Sequence, residues 1–185
     1  MKKLIGIIAI LTIIFIYGCS KQPSSIKAKQ DGKPLIVMYG DFKCPYCKKV
    51  EDKVMPKLRN KYIDKNKVKF QYVNLAFIGK DSIIGSRAQQ AVNHYAPKYS
   101  LQFQKLMFEH QKDEDKKWIT HTLIDKQIDK LNISNKTKDK IKTNYKTKNS
   151  TSWKAAEKDK KLGKEHHIKQ TPTVFILSLI HISEP

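Results

Sequence analysis

The sequence predicts an α/β domain in which a small sheet is interrupted by a large all-helical insertion and resumes with a third strand. Three observations carry that prediction. Leu35-Ile36-Val37-Met38-Tyr39 is a continuous apolar run, the mark of a strand buried on both faces. Val68, Phe70 and Tyr72 alternate with Lys69 and Gln71, the period of a second strand running from Val68 to Leu75. Between Leu75 and Thr171 apolar residues recur at helical spacing and no convincing strand appears, until Val174-Phe175-Ile176 starts a third. A chain of 185 residues that is 39% hydrophobic and 9% aromatic can fill the core of one such domain, which argues against disorder. Three cysteines cannot supply a disulfide framework, so the fold must rest on packing.

The chain begins with a short basic start, Met1-Lys2-Lys3, and then 14 residues from Leu4 to Tyr17 that are apolar except for Gly6 and Thr12. This run is shorter than the roughly 20 residues a spanning helix needs and suits the core of an export signal; an uncleaved N-terminal anchor is the alternative. Ile16-Tyr17-Gly18-Cys19 resembles the lipobox of bacterial lipoproteins. That resemblance implies removal of residues 1–18, lipidation of Cys19 on its thiol and amino group, and a mature chain held on the outer face of the bacterial cell membrane. Residues 19–33 then form a polar linker, closed by the turn signal Asp31-Gly32-Lys33-Pro34. The folded domain is expected over 34–176, with its helical insertion at about 80–166.

After the first strand, Gly40-Asp41-Phe42-Lys43 turns the chain and Cys44-Pro45-Tyr46-Cys47 opens a helix. Val50, Val54 and Leu58 share one face of it, predicted to point at the core, and Pro56 should kink the helix rather than end it. In the insertion, helices fit Ser82–Tyr95, Pro97–Gln111, Trp118–Leu131, Ser134–Tyr145 and Ser152–Glu165. Ser134 and Ser152 are suitable N-caps, because a hydroxyl oxygen there accepts from an orphan backbone N–H. His166-His167 should sit at a surface helix end, and Gln170-Thr171-Pro172-Thr173 is a turn into the third strand.

A formal charge of +20 invites a nucleic-acid reading, which the residue types oppose. Among 37 basic residues Arg occurs only at positions 59 and 87, and the rest are Lys. Base and phosphate readers rely on the planar, bidentate Arg fork, and no nucleic-acid motif spacing is present. Lys spread over helix faces is an ordinary solvated surface. Outside a cell its acidic partners would be anionic lipid headgroups and envelope polymers.

The chemistry lies in Cys44 and Cys47. Two residues between cysteines on a first helical turn bring the sulfurs within disulfide reach. The N-terminal sulfur then faces unpaired N–H groups and the positive end of the helix dipole, which favour thiolate. Pro45 stiffens the turn where a missing N–H costs little. Half of a zinc site would need a second ligand pair, which the spacings lack, and a purely structural bridge over so short a loop constrains the unfolded chain little. Cys44 is therefore the candidate attacking and leaving sulfur, and Cys47 the buried resolving one.

The strand Leu35–Tyr39, the Cys44-Pro45-Tyr46-Cys47 motif, the helix with Pro56 and the Thr171-Pro172 pair before a strand together resemble the thioredoxin superfamily. The helical insertion narrows the resemblance to the DsbA group of thiol:disulfide oxidases, in its lipid-anchored Gram-positive form. Tyr39 to Cys47 and Trp153 to Lys160 look particularly like staphylococcal members. The resemblance implies a thioredoxin-like fold, Pro172 as the cis-proline facing the cysteines, and Thr171 offering backbone groups to an extended substrate. It makes Tyr46 a minor modulator of Cys44, and it puts Met38 where enteric relatives carry a buried acid. It further implies an enzyme without cofactor or metal, a monomer, that donates a disulfide to reduced exported proteins and is reoxidised by small thiols or oxidants. A reductase or isomerase using the same motif is the nearest rival; a non-catalytic cationic lipoprotein binding envelope polymers is the rival of another class. The family would continue past Ile176 with an antiparallel strand and a long helix. Residues 177–185 do not fit that continuation and are read as an artefactual tail, so the domain is expected to be truncated.

Overall fold

The computed structural model describes residues 32–177. The lipobox-like segment with Cys19, most of the expected linker, and residues 178–185 lie outside them. Strands β1 (Leu35–Gly40), β2 (Lys69–Asn74) and β3 (Thr173–Leu177) form one sheet in the order β2-β1-β3. β1 runs parallel to β2, with Leu35 opposite Lys69 and Gly40 opposite Asn74, and antiparallel to β3, with Leu35 opposite Leu177. All six residues of this central strand are buried, as its unbroken apolar run predicts. β3 extends to Leu177, one position into the segment that the sequence reading set apart.

The two faces of β1 serve two packed regions. Met38 and, from β2, Tyr72 point into a core shared with Phe42, Cys44, Cys47 and the helical insertion. Leu35, Val37 and Tyr39 pack with Val73, Leu75 and Leu162 on the other side. The insertion comprises α3 (Ser82–Tyr95), α4 (Ser100–Glu109), α5 (His121–Asp129), α6 (Asn135–Lys146) and α7 (Thr151–Glu165). α3 matches its predicted bounds, and Ser134 caps α6 by accepting from the Thr137 N–H at 3.2 Å.

Elsewhere the boundaries moved for identifiable reasons. Pro97 restricts Ala96 to an extended φ of −146° and lacks an N–H, so Pro97–Tyr99 is a 3₁₀ turn before α4. Trp118 and Ile119 are not helical: their N–H groups are both taken, at 2.9 Å, by the Asp81 carboxylate, and Thr120 caps α5 instead. Ser150, not Ser152, caps α7, with its hydroxyl 3.2 Å from the Trp153 N–H; Ser152 is buried inside the helix.

The CxxC helix departs most. α1 (Pro45–Lys53) breaks at Val54, and α2 (Met55–Leu58) continues into a π-helical turn at Arg59–Ile63. Pro56 cannot donate to the turn before it, so the helical face rotates. Val54 is 51% exposed and Met55 takes the core position, while Val50 and Leu58 stay half-buried.

α7 lies close on the second face of the sheet: a Cβ on Gly163 would fall 2.4 Å from Leu75 Cδ2. Its Asp159 is buried, accepting from Gln90 Nε2 at 2.6 Å and from the Asn74 N–H at 3.4 Å. Burial pushes its carboxyl up to about 7 despite those donors. A folded-state value above the unfolded one favours the protonated fold, so this stabilisation is complete below about pH 4 and lost as pH rises through about 7. Asp159→Asn keeps both acceptor contacts without the charge. It is expected to raise stability above pH 7 by about 2 kcal/mol or more and to flatten the pH dependence between 4 and 7, read from urea midpoints.

Candidate active site

The turn between β1 and α1 is fixed from beneath by Asp41, whose side chain is fully buried. One carboxylate oxygen accepts from the Lys43 N–H and the Ser82 hydroxyl, both at 2.9 Å. The other accepts from the Phe77 and Ile78 N–H groups at 2.9 and 3.0 Å. Lys43 is buried as well; its ammonium donates to Asp81 Oδ1 at 2.9 Å and to the Lys116 carbonyl at 3.0 Å. Gln111 donates to the carbonyls of Phe42 and Cys44, at 2.6 and 3.0 Å. The turn is thereby attached to three separate parts of the chain. Asp81 itself is held below the usual carboxylate range: burial pushes it up, but the Ile119 N–H, the Lys43 ammonium and the Trp118 N–H outweigh that.

Cys44 is the N-cap of α1 and Pro45 its first residue. The Cys44 sulfur accepts from the Cys47 N–H at 3.2 Å, a role usually filled by a serine or aspartate oxygen. Across the site, 127 residues away in sequence, the Thr171 carbonyl lies 3.3 Å from the same sulfur and takes its proton in the thiol form. The Thr171–Pro172 peptide bond is cis. Both cysteines are free thiols here, 2% and 0% exposed, so Cys44 is the one that borders the surface.

Their electrostatics diverge. A hydrogen bond from the Cys47 thiol lowers Cys44 to about 6, opposed by burial and helped by the Thr171 side chain and the N–H groups of Cys47 and Tyr46. Cys47 is pushed far up, first because its proton is held on Cys44 and then by burial. One sulfur is thus a thiolate at neutral pH and the other keeps its proton. Alkylation of the reduced protein by iodoacetamide should accordingly half-titrate near pH 6, against about 8.5 for an ordinary cysteine. A midpoint above pH 8 would refute this charge arrangement.

Four sequence-predicted residues are therefore brought together: Cys44, Cys47, Thr171 and Pro172. Tyr46 acts on Cys44 through its N–H, while its ring is 62% exposed beneath the Lys49 ammonium, 4.8 Å from the ring centroid. Met38 lies in the same buried cluster as both cysteines. Glu51, one turn beyond Cys47, is a buried acid that sequence reasoning missed; it accepts from Arg59 at 2.6 Å and Gln104 at 2.8 Å, and burial raises its carboxyl. The available signal was an acid one turn after Cys47 on a buried stripe. His166 is likewise half-buried rather than a surface residue, because its Nδ1 shares a 2.6 Å hydrogen bond with the Tyr39 hydroxyl.

This arrangement can exchange thiols for disulfides: a low-pKa sulfur at a helix start, a protonated partner behind it and a backbone carbonyl beside the first. A family model described as thioredoxin matches residues 26–181. Disulfide bond formation protein D of Bacillus subtilis is 33% identical over 162 residues, which are 85% of this chain and 71% of that protein. The chain belongs to the thioredoxin family, as a DsbA-type thiol:disulfide oxidoreductase. The crystal structure of oxidised BdbD from Bacillus subtilis superposes on this DsbA-type chain with a TM-score of 0.69 at 32% identity, over 80% of it and 78% of BdbD. MdbA, a thiol-disulfide oxidoreductase from Actinomyces oris, shares the DsbA-type fold with a TM-score of 0.64 at 20% identity, over 78% and 71% of the two chains. The expected fold class thus holds, with the helical insertion between β2 and β3.

Proposed function

We propose that the protein donates a disulfide to reduced exported proteins on the outer face of a bacterial cell membrane, with Cys44 and Cys47 as the redox pair and Cys19 as its lipid anchor. The observation that carries the oxidising direction is the Cys44 sulfur: an N-cap thiol brought to about 6 while Cys47 holds its proton. A stabilised thiolate favours the reduced form of the protein, so its disulfide is a ready acceptor of electrons. The apolar run from Leu4 to Tyr17, which suits an export signal, and the lipobox-like Ile16 to Cys19 support the location.

In the oxidised protein, a substrate thiolate attacks Cys44 Sγ. The Cys44–Cys47 bond breaks, Cys47 leaves and takes up a proton, and a mixed disulfide joins Cys44 to the substrate. A second substrate thiolate attacks the substrate sulfur of that bond and expels the Cys44 thiolate. The substrate gains one disulfide and gives up two electrons, which the protein holds as thiolate and thiol until a thiol-reactive oxidant or small disulfide removes them. Thr171, with its backbone beside Cys44, presents groups that an extended substrate can pair with.

Equilibration with reduced and oxidised glutathione tests the direction. A ready oxidant becomes reduced at low thiol concentration; persistence of the disulfide at millimolar reduced glutathione would favour a reductase instead. Cys19→Ala tests the anchor, and is expected to move the protein from the membrane fraction to the medium.

A further inference from the structure

Between α1 and the Thr171–Pro172 loop runs an open groove of about 480 Å³ that begins at Tyr46 and ends at Val54. Its helical wall is Tyr46, Lys49, Val50, Lys53 and Val54, spaced i, i+3, i+4, i+7 and i+8, so these side chains share one stripe leading away from the cysteines. Its floor is apolar and open to solvent at both ends, with Tyr46 62% and Val54 51% exposed.

Charge makes the groove selective. The two carboxylates of α1 are already committed: Asp52 to Lys48 at 2.7 Å, and the buried Glu51 to Arg59 at 2.6 Å. Lys49 and Lys53 have no carboxylate partner among the described residues, and both line the groove. Lys49 is also held over the Tyr46 ring, which fixes its ammonium near the cysteine end. The geometry points to a substrate class: cysteine segments that carry acidic side chains on the α1 side. This rests on the oxidase reading of Cys44 and names what that site prefers.

The spacing sets the positions. At a helical rise of about 1.5 Å per residue, Lys49 and Lys53 lie about 7 and 13 Å along α1 from Cys44. An extended peptide advances about 3.3 Å per residue, so the acids belong roughly two and four residues from the reacting cysteine. Each exposed ion pair is modest, and two together give a preference of roughly three- to tenfold at low ionic strength, diminished by salt.

The test uses dithiol peptides identical except for Asp, Asn or Lys at those two positions, oxidised by the full-length protein at 20 mM and 500 mM NaCl. The Asp peptide should exceed the Asn peptide in kcat/KM by roughly three- to tenfold at low salt, with the ratio approaching unity at high salt. K49A/K53A should abolish the ratio and K49E/K53E should invert it in favour of the Lys peptide. K136E/K140E removes equal charge from α6 and should preserve it. Equal rates for the three peptides on the unsubstituted protein would overturn the proposal, as would a ratio that survives K49E/K53E or falls equally in K136E/K140E. The Asn peptide reports the oxidase reading separately: its oxidation, and loss of that oxidation in Cys44→Ser, stand whichever way the ratio falls.

Discussion

Cys44→Ser is expected to abolish oxidation of a reduced test protein, while Cys47→Ser accumulates mixed disulfides with it. The asymmetry follows from burial and proton placement. Cys44 borders the surface beside the Thr171 carbonyl and carries the charge, whereas Cys47 is fully enclosed and keeps its proton. A serine hydroxyl at position 44 is neither nucleophile nor leaving group near neutral pH, so turnover should fall by three orders of magnitude or more, to the level of spontaneous air oxidation. With serine at 47, Cys44 still meets substrate disulfides or glutathione mixed disulfides, but no internal thiol can release the adduct. Non-reducing gel electrophoresis with mass spectrometry would display the trapped species. Retained oxidation in Cys44→Ser would sink the assignment of the site.

Asp81→Ala is expected to be the most damaging change outside the cysteines. Asp81 receives the buried Lys43 ammonium on one oxygen and the Trp118 and Ile119 N–H groups on the other. Its removal leaves the Lys43 ammonium without its counter-ion, with only the Lys116 carbonyl still accepting from it, and two interior N–H donors without an acceptor, which should cost about 3–5 kcal/mol, much of a typical domain's stability. The comparison with Asp81→Ala/Lys43→Met separates the causes. Removing the stranded ammonium should restore a substantial part of the loss, as a non-additive pair in urea unfolding. A loss below about 1 kcal/mol in the single variant would refute the buried-pair account.

What could be read from the chain divides by distance. The cysteine pair was legible because its chemistry needs only four consecutive residues and the strand before them. α3 was legible because small and apolar residues recur along Ser82–Tyr95 with no competing partner for its backbone. Trp118 and Ile119 fit the stripe of the helix after them, yet Asp81, almost 40 residues earlier, claims their N–H groups. Asp41 reads as a turn residue in sequence; its four donors come from Lys43, Phe77, Ile78 and Ser82, and only the first is local. Val54 was misplaced because periodicity assumes an uninterrupted helix and Pro56 ends that assumption. Thr171 and Pro172 came from resemblance alone: nothing in their own dipeptide reveals a partner 127 residues away.

That separation has a consequence for the order in which the molecule comes into being. The insertion helices pack on one another, α3 chiefly on α6 and α7, whereas bringing Thr171 to Cys44 closes a longer loop, whose entropy costs about 4 kcal/mol. Cys44 precedes Thr171 in the chain, and until that loop closes its sulfur lacks both its cross-chain partner and the third strand of the sheet. The contacts that chiefly set the charge of the sulfur are local to α1, whereas the backbone ledge beside it arrives only with the last strand, so the chain gains its reactive sulfur and its substrate ledge at separate steps of folding.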